Sequence, residues 1–220
     1  MCGKSVASPV IKSRARVAEH GEVYTSEREV NAMLHLVRDE TLRIDSRFLE
    51  PACGNGNFLA PILERKLSVV AGRYSSSRAL YEQYSILALS SIYGIDILSD
   101  NVAECRERLF LIFHDAYVSL FSSPPTADYL LSARHVLRLN ILWGDALTLA
   151  TPDDARTPIS FAEWSMVEGM MSRRDFHLSM LLQNAPYTEP SLFDELGEEV
   201  FIPTPHAEYP LTPYDKIHLL

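Results

Sequence analysis

The sequence predicts an α/β protein built on a parallel sheet, and three observations carry that prediction. Short apolar runs with an acid at or next to the end, Glu50, Asp96 and Asp145, recur at Ser46–Glu50, Ile92–Ile97 and Asn140–Asp145. Helical periodicity fills the chain between them, and a turn with two closely spaced glycines, Gly54-Asn55-Gly56, follows the first run and opens a helix. Strands that alternate with helices imply right-handed crossovers, parallel pairing, and ligands at the carboxyl ends of the strands.

In chain order, residues 1–20 read as a polar N-terminal arm. Ser26 with Glu29 three residues on has the capping-box pattern, and Val30, Met33, Leu34 and Val37 continue at helical spacing, so a helix is expected over about 26–41. Ser46–Glu50 is the first strand and Asn57–Lys66 the helix it feeds, with apolar positions running on through Leu67, Val69 and Val70 toward Gly72. Ser75-Ser76-Ser77 caps or turns into a helix near 78–91 whose stripe Leu80, Tyr84, Leu87 and Ala88 is expected to face the core. Ile92–Ile97 is the second strand, Ser99–Ile112 a helix, Ser122–Thr126 a loop, Ala127–Leu139 a helix, and Asn140–Asp145 the third strand. Pro152–Pro158 is a turn-rich break, after which Ile159–Trp164 and Arg174–Leu181 read as two short strands or a strand and a helix. Residues 184–220 form a proline-rich tail, expected to be extended.

The 47% hydrophobic and 22% charged composition is that of an ordinary globular protein, and no run approaches the ~20 apolar residues of a membrane span. The first 17 residues lack the apolar core of a secretory signal, so a soluble, cytoplasmic protein with no membrane partner is expected. Cys2, Cys53 and Cys105 lie far apart without C-x-x-C spacing, which suggests neither a disulfide framework nor a metal site. The net charge of −9 has the wrong sign for a chain that grips DNA phosphates unaided. A nucleic-acid role therefore needs a basic face, to which Lys4–Arg16 could contribute, or a separate recognition part.

Glycine lets a ligand approach the main chain, and unpaired N–H groups at the following helix start attract a carboxylate or phosphate. The whole string Glu50-Pro51-Ala52-Cys53-Gly54-Asn55-Gly56-Asn57-Phe58-Leu59 resembles the first S-adenosylmethionine motif, Asp-Pro-Ala-Cys-Gly-Ser-Gly-x-Phe-Leu, of amino-group DNA methyltransferases. Upstream, Gly21-Glu22-Val23-Tyr24-Thr25-Ser26 is similar to the Gly-x-Val-x-Thr-Pro stretch of the γ-arranged adenine-specific enzymes of restriction-modification systems, with Ser26 in place of proline. Residues 21–183 are then a methyltransferase-like cofactor domain with a Rossmann-like fold, preceded by an N-terminal helix and followed by an irregular tail. The resemblance implies S-adenosyl-L-methionine as cofactor, held by Thr25, Glu50, Ala52, Gly54, Gly56, Phe58, Asp96, Ile97 and Asp145. Within that set Thr25 would help hold the methionine carboxylate, Glu50 the methionine ammonium, Asp96 both ribose hydroxyls and Asp145 the adenine amine. Taken singly, Asp96 and Asp145 also read as ordinary turn acids.

The family holds its target amine with Asn-Pro-Pro-Tyr or Phe after a fourth apolar strand. Asn184-Ala185-Pro186-Tyr187 is similar, which implies that Asn184 and the Ala185 carbonyl position the adenine N6 while Tyr187 stacks on a flipped base. The preceding Phe176–Gln183 departs from a buried central strand in lacking β-branched residues. Too few residues follow Asn184 to finish the sheet, so the sheet is expected to be incomplete. Three functions stay open: an adenine-N6 DNA methyltransferase of restriction-modification type, a non-catalytic or split half that binds cofactor or a companion methyltransferase or specificity chain, or a methyltransferase acting on RNA or a small molecule. Homo-oligomerisation through the unfinished sheet is a further expectation. Arg173-Arg174-Asp175 reads as a charged turn or a phosphate contact, and Trp143 as a buried strand residue or a neighbour of the adenine.

Overall fold

The computed structural model describes residues 25–182 and 203–220, which form a mixed α/β structure. Helix α1, Glu27–Leu36, starts at Ser26 with both halves of the capping box in place, and the short α2, Arg38–Thr41, ends the stretch expected as one helix. Strand β1, Phe48–Glu50, is followed by α3, Leu59–Tyr74, and α4, Arg78–Ser90, with Ser77 as the cap of the latter. Strand β2, Ile92–Asp96, leads into α5, Ser99–Val118, and α6, Ala127–Asn140, which runs directly into β3, Ile141–Trp143. The three strands are parallel in the order β1-β2-β3, with Glu50 level with Gly94 and Asp96 level with Trp143. Every residue of β2 is buried, as the middle strand of a helix-covered parallel sheet must be.

One face was misread by a residue. Helix α4 buries Tyr81, Ser85, Ala88 and Leu89, whereas Leu80, expected to face the core, is 43% exposed. Tyr81 instead meets Tyr117 edge-on across the helix pair.

A second, antiparallel sheet follows. Strands β4, Ser160–Val167, and β5, Met170–His177, are joined by Glu168 and Gly169, both at positive φ as a two-residue hairpin turn demands. Helix α7, Leu178–Leu182, follows β5, and β6, Ala207–Glu208, pairs with its other side. The proline-containing segment 203–220 thus lies along β5 and over α4 and α6: Tyr214 donates to Glu82 at 2.8 Å, Lys216 pairs with Asp128, and Ile217 is fully buried. Arg173-Arg174-Asp175 is not a turn but the middle of β5, where Arg173 makes a bidentate bond to Asp175 at 2.8 and 2.7 Å under the Tyr209 ring. Alternation along the strand buries Arg173 and turns Arg174 outward. Buried polar groups tie the second sheet to the first and to its helices: Tyr93 of β2 donates to the Ala162 carbonyl at 3.0 Å, and Trp164 to Asn140 at the end of α6 at 3.0 Å.

Lys66, fully buried on α3, donates to the Arg43, Ile44 and Ser46 carbonyls and so fixes the approach to β1. Burial lowers its pKa to about 8, which still leaves it charged at neutral pH. Among the described residues no helix is long and apolar enough to cross a membrane.

His135 on α6 gives a pH test of the packing between the sheets. Burial first, then the guanidinium groups of Arg173 and Arg138, lower its pKa from 6.5 to about 4. As pH falls the unfolded chain takes up this proton first, so the contribution is complete above about 6.5 and is lost on the way down to about 4. Urea titrations at the two ends of that window should show His135→Gln removing part of the acid sensitivity, an effect of at most about 3 kcal/mol. An unchanged acid slope would show that His135 is not the group responsible.

Candidate functional site

The chain reverses between β1 and α3 through Pro51–Phe58, and that reversal sits against the carboxyl ends of β1 and β2. Cys53 N–H donates to the Ile95 carbonyl at 2.8 Å and Gly54 N–H to Asp96 Oδ2 at 2.8 Å, so the turn is bonded directly to the tip of β2. Gly54 and Gly56 both have positive φ, 52° and 89°, which explains glycine at each. A Cβ on Gly56 would also come 2.9 Å from Cys105 Sγ on α5. One on Gly94 in β2 would come as close to Cys53 Sγ. The first glycine constraint is therefore backbone shape plus contact with α5. The hydrogen bond with the adjacent Cys105 thiol first, then burial, push the Cys53 thiol far above its ordinary range, so it fills space and does not act as a nucleophile.

The predicted residues fall as follows. Glu50 is half-buried at the end of β1, and Ala52 N–H at 3.3 Å bonds to its Oε1. Burial raises its pKa against that bond, and among the described residues it has no ion pair. Asp96, buried at the end of β2, accepts from Gly54 N–H, from Leu98 N–H at 2.9 Å and from the Asn101 amide at 3.2 Å. Asp145 accepts from Leu147 N–H at 2.9 Å and the Thr148 hydroxyl at 3.0 Å. The first of those bonds does most to hold its carboxyl below the usual range. Ile97 is 45% exposed and its carbonyl accepts from Trp143 Nε1 at 2.9 Å, while Phe58 packs half-buried against the core.

The structure thus brings Glu50, Ala52, Gly54, Gly56, Phe58, Asp96 and Ile97 to one end of the sheet, with Asp145 two residues beyond the end of β3 at the same end. Thr25 stands just ahead of the α1 cap and makes no hydrogen bond to the turn among the described residues. Asn184 and Tyr187 lie outside the described residues, as does the arm 1–20. Trp143 is a half-buried strand residue whose ring nitrogen braces the Ile97 carbonyl.

Sequence reasoning missed three partners on α5. Asn101 bonds Asp96, Cys105 underlies Gly56, and Arg108 donates to Asn57 in the turn at 2.8 Å. Their spacing of four and three residues puts them on one helix face, a signal present in the sequence.

The arrangement can hold a small ligand with separated polar groups. Helix α3 follows Phe58, which offers no side-chain cap; Pro61 has no N–H and the Ala60 N–H donates to the Gly56 carbonyl at 2.9 Å, so the Leu59 N–H is the first-turn donor that suits an anionic group. A carboxylate has about four acceptor positions, so the donors on Asp96 and Asp145 leave room for further ones. Among the described residues no group of three His, Cys, Asp or Glu could hold a metal ion. A cleft of about 440 Å³ lies elsewhere, between β1 and the β4-β5 hairpin. Comparisons with known proteins found no matching family model, curated protein or solved structure.

Gly56→Ala is expected to destabilise the protein by about 2–4 kcal/mol, from positive φ and from the Cys105 contact together. Combined with Cys105→Ala the losses should fall short of additivity by about 1 kcal/mol in denaturant titrations. Strict additivity would show that the two residues do not press on one another.

Proposed function

We propose that this chain is the cofactor-binding part of an S-adenosyl-L-methionine-dependent DNA methyltransferase with a Rossmann-like fold, acting on adenine N6 in a restriction-modification system. One observation carries the reading: Glu50 is a half-buried carboxylate at the tip of β1, raised in pKa by burial and with no cation beside it among the described residues. A desolvated acid of this kind gains most from a ligand that brings its own ammonium. The methionine end of the cofactor brings one, next to a carboxylate that suits the Leu59 N–H at the start of α3.

In this reading Glu50 binds the ammonium. Asp96 accepts from the ribose hydroxyls while keeping Gly54 in place, and Ile97 offers an apolar face to the adenine ring. Asp145, charged at neutral pH, accepts from the adenine amine. Bound cofactor supplies an electrophilic methyl group on sulfur. Asn184, the Ala185 carbonyl and Tyr187 are the proposed holders of the target base. DNA reaches the site through a basic face or a companion subunit, given the net charge of −9.

A second reading, a split or non-catalytic half, is favoured by a different observation. Among the described residues the parallel sheet stops at three strands, with β1 at its edge next to the glycine turn. Ligands of open α/β sheets bind where the strand order reverses, and among the described residues the order β1-β2-β3 contains no reversal.

Calorimetric titration of the full chain with S-adenosylmethionine tests the cofactor assignment. Glu50→Gln should weaken binding by about tenfold, near 1.4 kcal/mol for a lost charge-assisted bond. Titration curves without heat for the unsubstituted chain would end the proposal. With tritiated cofactor, labelled DNA that disappears in Asn184→Ala supports an active enzyme, and binding without labelling supports the split half.

A further inference from the structure

We propose that the edge of β1, unpaired among the described residues, is the seat for a β-strand of a second polypeptide, apolar on one face and carrying an acidic residue that meets Arg47 and Arg174. The inference concerns an interaction surface and holds whether or not the glycine turn binds a cofactor.

The backbone comes first. Phe48 N–H donates to the Ser91 carbonyl at 3.0 Å, on the β2 side. Successive residues of a strand direct their amides to opposite sides, so the Leu49 N–H and C=O point away from β2. No described strand lies on that side, and the Leu49 side chain is 47% exposed. Such an edge is a template for another strand.

Beside it lies the 440 Å³ cleft, a volume in the range of ligand sites. Phe48, Leu49 and Tyr93 of the parallel sheet form one wall, and Phe161, Phe176 and Leu178 of the hairpin side form the other. The walls are held before any partner arrives, since the Tyr93 hydroxyl donates to the Ala162 carbonyl and its ring meets Phe161 edge-on at 5.3 Å. A strand added to β1 can therefore hydrogen-bond to Leu49 while its alternate side chains enter a preformed apolar slot.

Charge selects the occupant. Arg47 bonds Glu163 Oε1 at 2.7 Å and Arg174 bonds the other oxygen, so two guanidinium groups share one carboxylate at the cleft rim. Among the described residues one positive charge is left over there, in a chain whose net charge is −9. An acidic residue on the incoming strand completes that group, whereas a lysine is repelled. A second copy of this chain that paired edge to edge would bring another Arg47 with its own β1, setting like charges against each other.

The test uses the full chain and two synthetic peptides about eight residues long, one alternating valine with glutamate and one alternating valine with lysine. Amide spectra should show the glutamate peptide shifting Leu49, Tyr93 and Phe161 in a saturable way at millimolar concentration. Exchange of the Leu49 amide should slow, with the lysine peptide weaker by about tenfold or more. Leu49→Pro, which removes the edge amide, should abolish the effect without changing the fold, because an edge strand tolerates proline. Arg174→Glu should reverse the peptide preference while leaving the protein folded. The proposal is overturned if neither peptide acts or if both act equally. It is also overturned if the Leu49 amide is already protected in the chain alone, or if sedimentation shows a dimer that Leu49→Pro dissolves, since own-chain pairing or a second copy would then hold the edge.

Discussion

Asp96 holds the site end of this molecule together through one carboxylate that receives three donors from three different places. Gly54 N–H comes from the turn after β1, Leu98 N–H from the approach to α5, and the Asn101 amide from the first turn of that helix. A buried carboxylate is tolerable only when its oxygens are paired, so the turn, strand and helix are constrained jointly. Everything proposed for the site depends on this knot, because the glycine turn would otherwise have no fixed relation to the strand tips. The same acid that is offered to a ligand is thus already part of the scaffold, and a ligand must add to its bonds without displacing them.

Electrostatics divide the structure into satisfied and unsatisfied acids. Asp145 and Asp96 are each met by main-chain N–H groups, and Asp175 by Arg173 in a bidentate pair. Glu50 has one marginal donor and a raised pKa. Lys66 shows how the fold treats a buried charge it intends to keep, with three carbonyls around the ammonium. Against that standard, Glu50 is the acid most in need of a partner from outside the described chain.

The antiparallel sheet gives the cleft its second wall. Its attachment through Trp164, Asn140 and Tyr93 places Phe161 and Phe176 opposite β1, where a short strand alone would present only an edge. The segment 203–220 then braces the back of this arrangement by joining β5 and packing Ile217 against α6. The cleft and the glycine turn share β1, so occupation of one lies a few residues from the other.

Local signals were enough for the helices, the parallel strands and the glycine turn. The capping box at Ser26 and Glu29, the periodic helices, the apolar runs ending in Glu50 and Asp96, and the glycines at 54 and 56 are properties of neighbouring residues, which is why they were legible without coordinates. The i, i+4, i+7 set Asn101, Cys105 and Arg108 was equally local but had no meaning until the turn was seen to lie against α5. The hairpin turn at Glu168-Gly169 was legible in principle, yet Arg173 and Asp175 read as turn residues because charge argues for exposure. Only long-range pairing, with Tyr209 stacked over the guanidinium, makes a buried ion pair affordable there. Sheet order, the partners of each acid and the wall opposite β1 were decided by tertiary structure alone, since they join residues far apart in sequence whose contact no local pattern encodes.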